Sequence, residues 1–190
     1  MVGLLGGSFD PIHHGHLIVA RAVLETLGLE SLRFVPAREQ PFKQGAHGAT
    51  PEQRAEMVAL AIRKEPLFGV ERIELGRPGP SYTVDTLRAL RAREPATDFV
   101  LLVGADAASE LATWREAGEI PRLARVVAFA RAGSAPAAGP AIWRTVAVPA
   151  IDISATEVRA RVRAGRPVRW LVPDAVERYI VAERLYLNEA

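Results

Sequence analysis

Three histidines, three glycines and a hydroxyl fall within one short stretch, "GGSFDPIHHGH", running from Gly6 to His16. A short apolar run precedes it and the amphipathic stretch "LIVARAVLETLG" follows, so these residues occupy a strand-to-helix turn. Gly6 and Gly7 let the main chain turn tightly and meet a ligand with no side chain between. The free amides of a helix N-terminus just beyond favour an anion, most often phosphate. His13 and His16 are three apart and face the same way on a first helical turn. Two imidazoles beside a phosphate cradle can donate hydrogen bonds to charge that builds up in a transition state. A single histidine here would read as a surface residue or a cap; H-x-G-H on a glycine turn is a narrower pattern.

Two other chemistries use similar residues. A dinucleotide-binding oxidoreductase wants G-x-G-x-x-G and an acidic residue about 20 positions on. "GLLGGSFDP" does not match it, and Glu25 and Glu30 fit no strand end. A metal held by His13, His14 and His16 would need a clear further ligand, and zinc-type spacings are absent, so no metal ligand is assigned.

The elements around the turn follow from patterning. Strands are predicted at residues 2–5, 32–35, 68–74, 99–103, 126–129 and 142–148, and helices at 15–27, 51–64, 83–93, 156–163 and 175–185. Thr50-Pro51 supplies a hydroxyl cap followed by Pro at the first helical position. Fully apolar strands such as "FVLLVG" fit burial on both faces, and alternating β and α elements then give a doubly wound parallel α/β sheet. Ligands of such a sheet sit beyond the carboxyl ends of its strands. "PAREQPFKQG", "GADAASELATW" and "IDISATEVR" follow the second, fourth and last predicted strands, which places them with the opening turn on one edge. Residues 132–140, "AGSAPAAGP", read as a surface loop.

A chain of 190 residues that is 49% apolar supports one domain, taken as 1–190, with residues 154–186 as a C-terminal helical segment. Without cysteine there are no disulfides or thiolate metal sites. No apolar run reaches the ~20 residues of a membrane span, and a cationic leader is lacking, so a cytoplasmic protein with no membrane association is expected. The net charge is only +2, and of the 24 basic residues only Lys43 and Lys64 are lysine. Most of the arginines read as solvated helix faces. The run "RARVRAGRPVR" lacks interleaved aromatic platforms until Trp170 and does not suggest nucleic-acid binding.

"GGSFDPIHHGH" and "ISATEVR" together resemble the two signatures of the H-x-G-H nucleotidyltransferases, whose fold is Rossmann-like. Within that group "GPSYTVDTL" at 79–87, "GAD" at 104–106, Trp114 and "LVPDAVERYI" resemble bacterial nicotinate-nucleotide adenylyltransferases, in consistent order from residue 1 to about 186. The resemblance implies transfer of AMP from ATP to nicotinate mononucleotide, by direct attack on the α-phosphate with no covalent enzyme intermediate and with Mg²⁺ accompanying ATP.

It also implies roles. Gly6, Gly7, Ser8 and Phe9 would put backbone amides around the phosphates, and His13, His16, Lys43 and Arg159 would be catalytic. Gly104 and Asp106 would bracket the ribose and adenine of ATP; Ser154, Thr156 and Arg159 would hold its β- and γ-phosphates. Trp114 would stack on the pyridine ring, while Tyr82 and Thr83 would offer amides to the nicotinate carboxylate. Plainer readings stay open beside these: Asp106 as the N-cap of a helix toward Ala112, Ser154 with Glu157 as a capping box, and Trp114 as core. Departures from the family pattern are Gln40 and Phe42 in the loop that keeps Lys43, Ala155 where a second serine is common, and Arg115 where many relatives carry Tyr. A phosphopantetheine-type adenylyltransferase and a catalytically silent nucleotide sensor are the alternatives. The partners expected are ATP and nicotinate mononucleotide, with the chain a monomer or homo-oligomer.

Overall fold

The computed structural model describes residues 1–39, 48–131, 139 and 141–187. Six strands form one sheet in the order β3-β2-β1-β4-β5-β6, every neighbouring pair parallel. They are β1 (Val2–Gly7), β2 (Ser31–Pro36), β3 (Phe68–Val70), β4 (Phe99–Gly104), β5 (Arg125–Arg131) and β6 (Ile142–Val148). The helices are α1 (His14–Leu27), α2 (Pro51–Ile62), α3 (Thr83–Arg93), α4 (Ala105–Ser109), α5 (Ile120–Leu123), α6 (Ala155–Arg163) and α7 (Asp174–Ala182). The doubly wound parallel arrangement expected from the sequence is the one observed.

Alternate strand residues enter two cores, as the pleat requires. Leu5, Val100 and Leu102 pack with Ala20, Val23 and Leu24 of α1, Met57 and Val58 of α2, Val158 of α6 and Val176 and Ile180 of α7. Leu4, Leu101 and Val103 point the other way, onto Val84, Leu87 and Leu90 of α3 and Ile120 of α5. Burial on both faces explains why these strands read as continuous apolar runs. The chain winds outward from β1 through β2 to β3, and then crosses back to β4 on the other side of β1. A crevice therefore opens between the carboxyl ends of β1 and β4.

Two elements end well short of expectation, and one short helix was not expected. Strand β3 ends at Val70 because the Glu71 carboxylate accepts from the Ile73 amide at 3.1 Å, and the chain turns there. Helix α7 ends at Ala182; Arg184 takes φ 52° and the Leu185 amide returns to the Ile180 carbonyl, so Leu185 and Tyr186 fold back into the core. The short helix α5 lacks the length to show a period. By contrast α2 starts as read: the Thr50 hydroxyl accepts from the Gln53 amide at 3.2 Å, with Pro51 at the first position.

Not all arginines are solvated. Arg54 on α2 is fully buried. Its guanidinium donates to the carbonyls of Ser8 at 2.6 Å, Arg38 at 3.0 Å and Ala49 at 3.3 Å. One fork thus joins the glycine turn after β1, the exit of β2 and the approach to α2. Arg54→Met strands three buried carbonyls and removes a buried charge beside Asp10, a change of about 3–5 kcal/mol. Urea unfolding of that variant is expected to show such a loss; a loss below about 1 kcal/mol would contradict this role.

Candidate active site

The site begins where β1 runs out. A Cβ on Gly7 would lie 2.9 Å from the Phe9 ring, so only glycine fits. Phe9 itself takes φ 51° and turns its ring into the core, edge-on to His16 at 5.1 Å and to Phe34 at 5.6 Å. Its side chain is therefore structural, which leaves its amide for any ligand. A Cβ on Gly6 would meet nothing within 4 Å, because Gly6 faces open space.

His13 caps α1 and is buried; His16 lies one turn on, and their rings stack at 3.7 Å between centroids. Gly15 has a steric reason too, since a Cβ there would stand 3.0 Å from His13 Nδ1. The His16 Nδ1 accepts from the His13 amide at 3.3 Å. A neutral imidazole with Nδ1 accepting carries its hydrogen on Nε2. Nδ1 of His13 has no hydrogen-bond partner among the described residues, and placing the hydrogen on Nε2 leaves only a lone pair unmatched there. Both rings then present an Nε2–H donor. Burial, followed by the neighbouring His14, pushes His13 down to about 4; burial, followed by His13, pushes His16 down to about 3. Both are neutral donors at neutral pH.

Beside this turn lies a cavity of about 830 Å³, lined by Gly6 and Gly7 of β1, Gly104 and Asp106 after β4, Tyr82 and Thr83 at the start of α3, and Trp114. That volume suits a substrate of drug size or somewhat larger. Gly104, not Asp106, is the N-cap of α4, so the plainer reading of Asp106 as a cap is wrong. Asp106 sits exposed in the first turn, with its carboxylate in no hydrogen bond among the described residues. Trp114 is half-buried: it packs on the second core and also lines the cavity. Tyr82 caps α3 without a side-chain bond and donates its own amide to the Pro80 carbonyl at 3.1 Å, while the Asp85 amide turns back to the Tyr82 carbonyl at 3.1 Å and the Thr83 amide has no partner within the helix.

The third group stands at α6. Ser154 caps that helix, its hydroxyl accepting from the Glu157 amide at 3.1 Å, which is one half of the capping box. Arg159 donates to the Asp10 main-chain carbonyl at 2.7 Å and to the Thr156 hydroxyl at 3.3 Å. Through that contact the last motif is fastened to the first. Ser154, Thr156 and Arg159 flank the turn without lining the cavity. Lys43, with Gln40 and Phe42, lies outside the described residues, as does most of the 132–140 loop.

Sequence reasoning missed the supports. Asp10 is buried and accepts from the Tyr186 hydroxyl at 2.8 Å and the Gly48 amide at 2.9 Å. Glu74 lines the cavity, buried, accepting from the Thr86 hydroxyl at 2.7 Å, while Arg77 donates to that same hydroxyl at 2.9 Å. Burial raises the Glu74 carboxyl above its usual range. No sequence period marks either residue; "DP" and "SYTVDT" were visible, but the partners of Asp10 lie 38 or more residues away, and Glu74 lies 12 residues from Thr86. Among the described residues no group of three or more His, Asp or Glu is placed to hold a metal.

Parallel-sheet order, glycine turn and paired imidazoles at the crevice define a nucleotidyltransferase of the cytidylyltransferase-like class: a family model described as "Cytidylyltransferase-like" matches residues 4–161. A relative from Roseiflexus sp. is 45% identical over 97% of each chain, and one from Thermus thermophilus is 46% identical over 97% of this chain and 98% of its own. Both carry the name "Probable nicotinate-nucleotide adenylyltransferase". The chain belongs to the nicotinate-nucleotide adenylyltransferase family. Its fold also matches Plasmodium falciparum nicotinic acid mononucleotide adenylyltransferase, solved in complex with NaAD at TM-score 0.78 and with APC at 0.76; each covers 97% of this chain and 96% of that one, at 18% and 17% identity.

The depressed histidines set a pH dependence. Both are neutral in the folded chain while the unfolded chain takes up protons below its ordinary value of 6.5. Stability from these groups is complete above about 6.5 and is lost as pH falls toward 4. Urea midpoints of wild type and a His13→Asn, His16→Asn double variant, taken between those limits, are expected to converge as the pH drops. Parallel curves would contradict it.

Proposed function

We propose that the chain transfers AMP from ATP to the phosphate of nicotinate mononucleotide, giving nicotinate adenine dinucleotide and pyrophosphate. The observation that carries this reading is the pair of neutral Nε2–H imidazoles set just beyond a glycine turn whose Gly6 and Gly7, though not the histidines themselves, line a cavity with an aromatic wall. The turn at Gly6, Gly7, Ser8 and Phe9 brings two anions together through main-chain amides; holding both reactants in line supplies much of the rate. His13 and His16 donate to the non-bridging oxygens whose charge grows as the α-phosphate is attacked, and the displaced pyrophosphate leaves as an anion. No side chain has to form a bond.

Gly104 and Asp106 hold the nucleoside of ATP. Ser154 and Thr156, with the first amides of α6, meet its outer phosphates, and Arg159 adds a cation whose fork suits them. Trp114 stacks on the pyridine ring, and the amides of Tyr82 and Thr83 receive its carboxylate at the positive end of α3. Lys43 adds a further cation for phosphate. Magnesium accompanying ATP would neutralise its phosphates. The whole chain, 1–190, acts as one catalytic unit.

Pyrophosphate release from ATP and Mg²⁺ tests the reading, with nicotinate mononucleotide, nicotinamide mononucleotide and phosphopantetheine offered separately. Release is expected with the first. Activity with phosphopantetheine alone would keep the histidines and overturn the substrate, and silence with all three would favour a nucleotide sensor. His16→Ala is expected to lower kcat by about 100-fold, the effect of losing one oxyanion-type donor, measured on protein shown to be folded at the assay pH. Unaltered turnover would remove His16 from the mechanism.

A further inference from the structure

We infer that the Arg115 side chain determines ring specificity, gripping the anionic substituent of the aromatic ring that enters beside Trp114. The inference rests on the reading just given and adds to it a side chain that the main-chain contacts of Tyr82 and Thr83 do not supply. Arg115 lines the cavity next to Trp114. Its Cζ stands 4.8 Å from the centroid of the Tyr82 ring, so the guanidinium is laid over an aromatic face, which limits its swing.

Four charges meet at this corner: Asp85, Arg88, Arg115 and Glu116. They are unevenly engaged. Arg88 places both terminal nitrogens on the Glu116 carboxylate, at 3.1 and 2.5 Å. Arg115 lies 3.5 Å from an Asp85 oxygen and 3.7 Å from a Glu116 oxygen, and makes no hydrogen bond among the described residues. It is thus an oriented cation held by two long ion pairs and by no close hydrogen bond, half-exposed at the rim of a cavity with an aromatic wall. A planar carboxylate is the group such a fork fits best.

The mononucleotide brings two anions, a ring carboxylate and a phosphate. The carboxylate is assigned here because Arg115 belongs to the Tyr82–Trp114 wall, whereas the glycine turn and histidines gather phosphate at the other end. Steady-state kinetics with nicotinate and nicotinamide mononucleotides separate the two, since both carry the phosphate and only one the carboxylate. Arg115→Met is expected to cut the acid-to-amide ratio of kcat/KM by about 10-fold, through KM rather than kcat, the effect of losing one charge-assisted contact. Arg115→Lys, which keeps the charge without the fork, is expected to recover part of that ratio. Equal losses on both substrates would assign Arg115 to the phosphate or to structure and overturn the inference, as would an unchanged ratio. A wild-type protein inactive on both mononucleotides would instead overturn the proposed function beneath it.

Discussion

A buried ionic cluster under the glycine turn is the constraint on which the rest depends. A sharp turn of glycines has few contacts of its own, and its carbonyls point inward where water does not follow. Arg54 and Arg159 answer that from two directions, the first taking the Ser8 carbonyl and the second the Asp10 carbonyl. The Asp10 carboxylate then binds Tyr186 and Gly48. Removing either sign from such a cluster leaves the other buried without compensation, which is why these charges cost more to break singly than they contribute as pairs.

With the turn held rigid, the sheet decides what surrounds it. The crossover to β2 and the crossover to β4 diverge, so the edge above β1 is left open to solvent and ligand. The same divergence brings Gly104 and Trp114 to one side of the opening and α6 to the other. The histidines gain their character from this placement: packed on Phe9, on each other and on Gly15, they are too poorly hydrated to carry charge before a ligand arrives. Preorganised neutral donors need little rearrangement when negative charge develops nearby.

Much of this could be read from residue order, and the remainder had definite physical reasons to stay hidden. Gly7, His13, Gly15 and His16 were legible because a turn, a cap and one helical face are local events. Strand β4 was legible because burial on both faces leaves a continuous apolar run. Arg54 was not, since an arginine on an amphipathic helix looks the same whether its fork meets water or three carbonyls. Asp10 and Glu74 depend on partners brought near only by folding. Asp106 looked like a cap because the cap itself, Gly104, has no side chain to declare the role. The end of α7 was overrun because Leu185 and Tyr186 continue an apolar pattern while the backbone reverses beneath it.

The bond between Asp10 and Tyr186 spans 176 positions. During synthesis the H-x-G-H turn leaves the ribosome well over a hundred residues before Tyr186, one of its anchors. Until then the Asp10 carboxylate lacks its hydroxyl partner, and the main chain of the turn is held by fewer ties. Nascent chains that stop short of Tyr186 therefore carry the whole H-x-G-H motif in a loosened setting. The fold thereby makes the final shape of the H-x-G-H turn a late property of the chain.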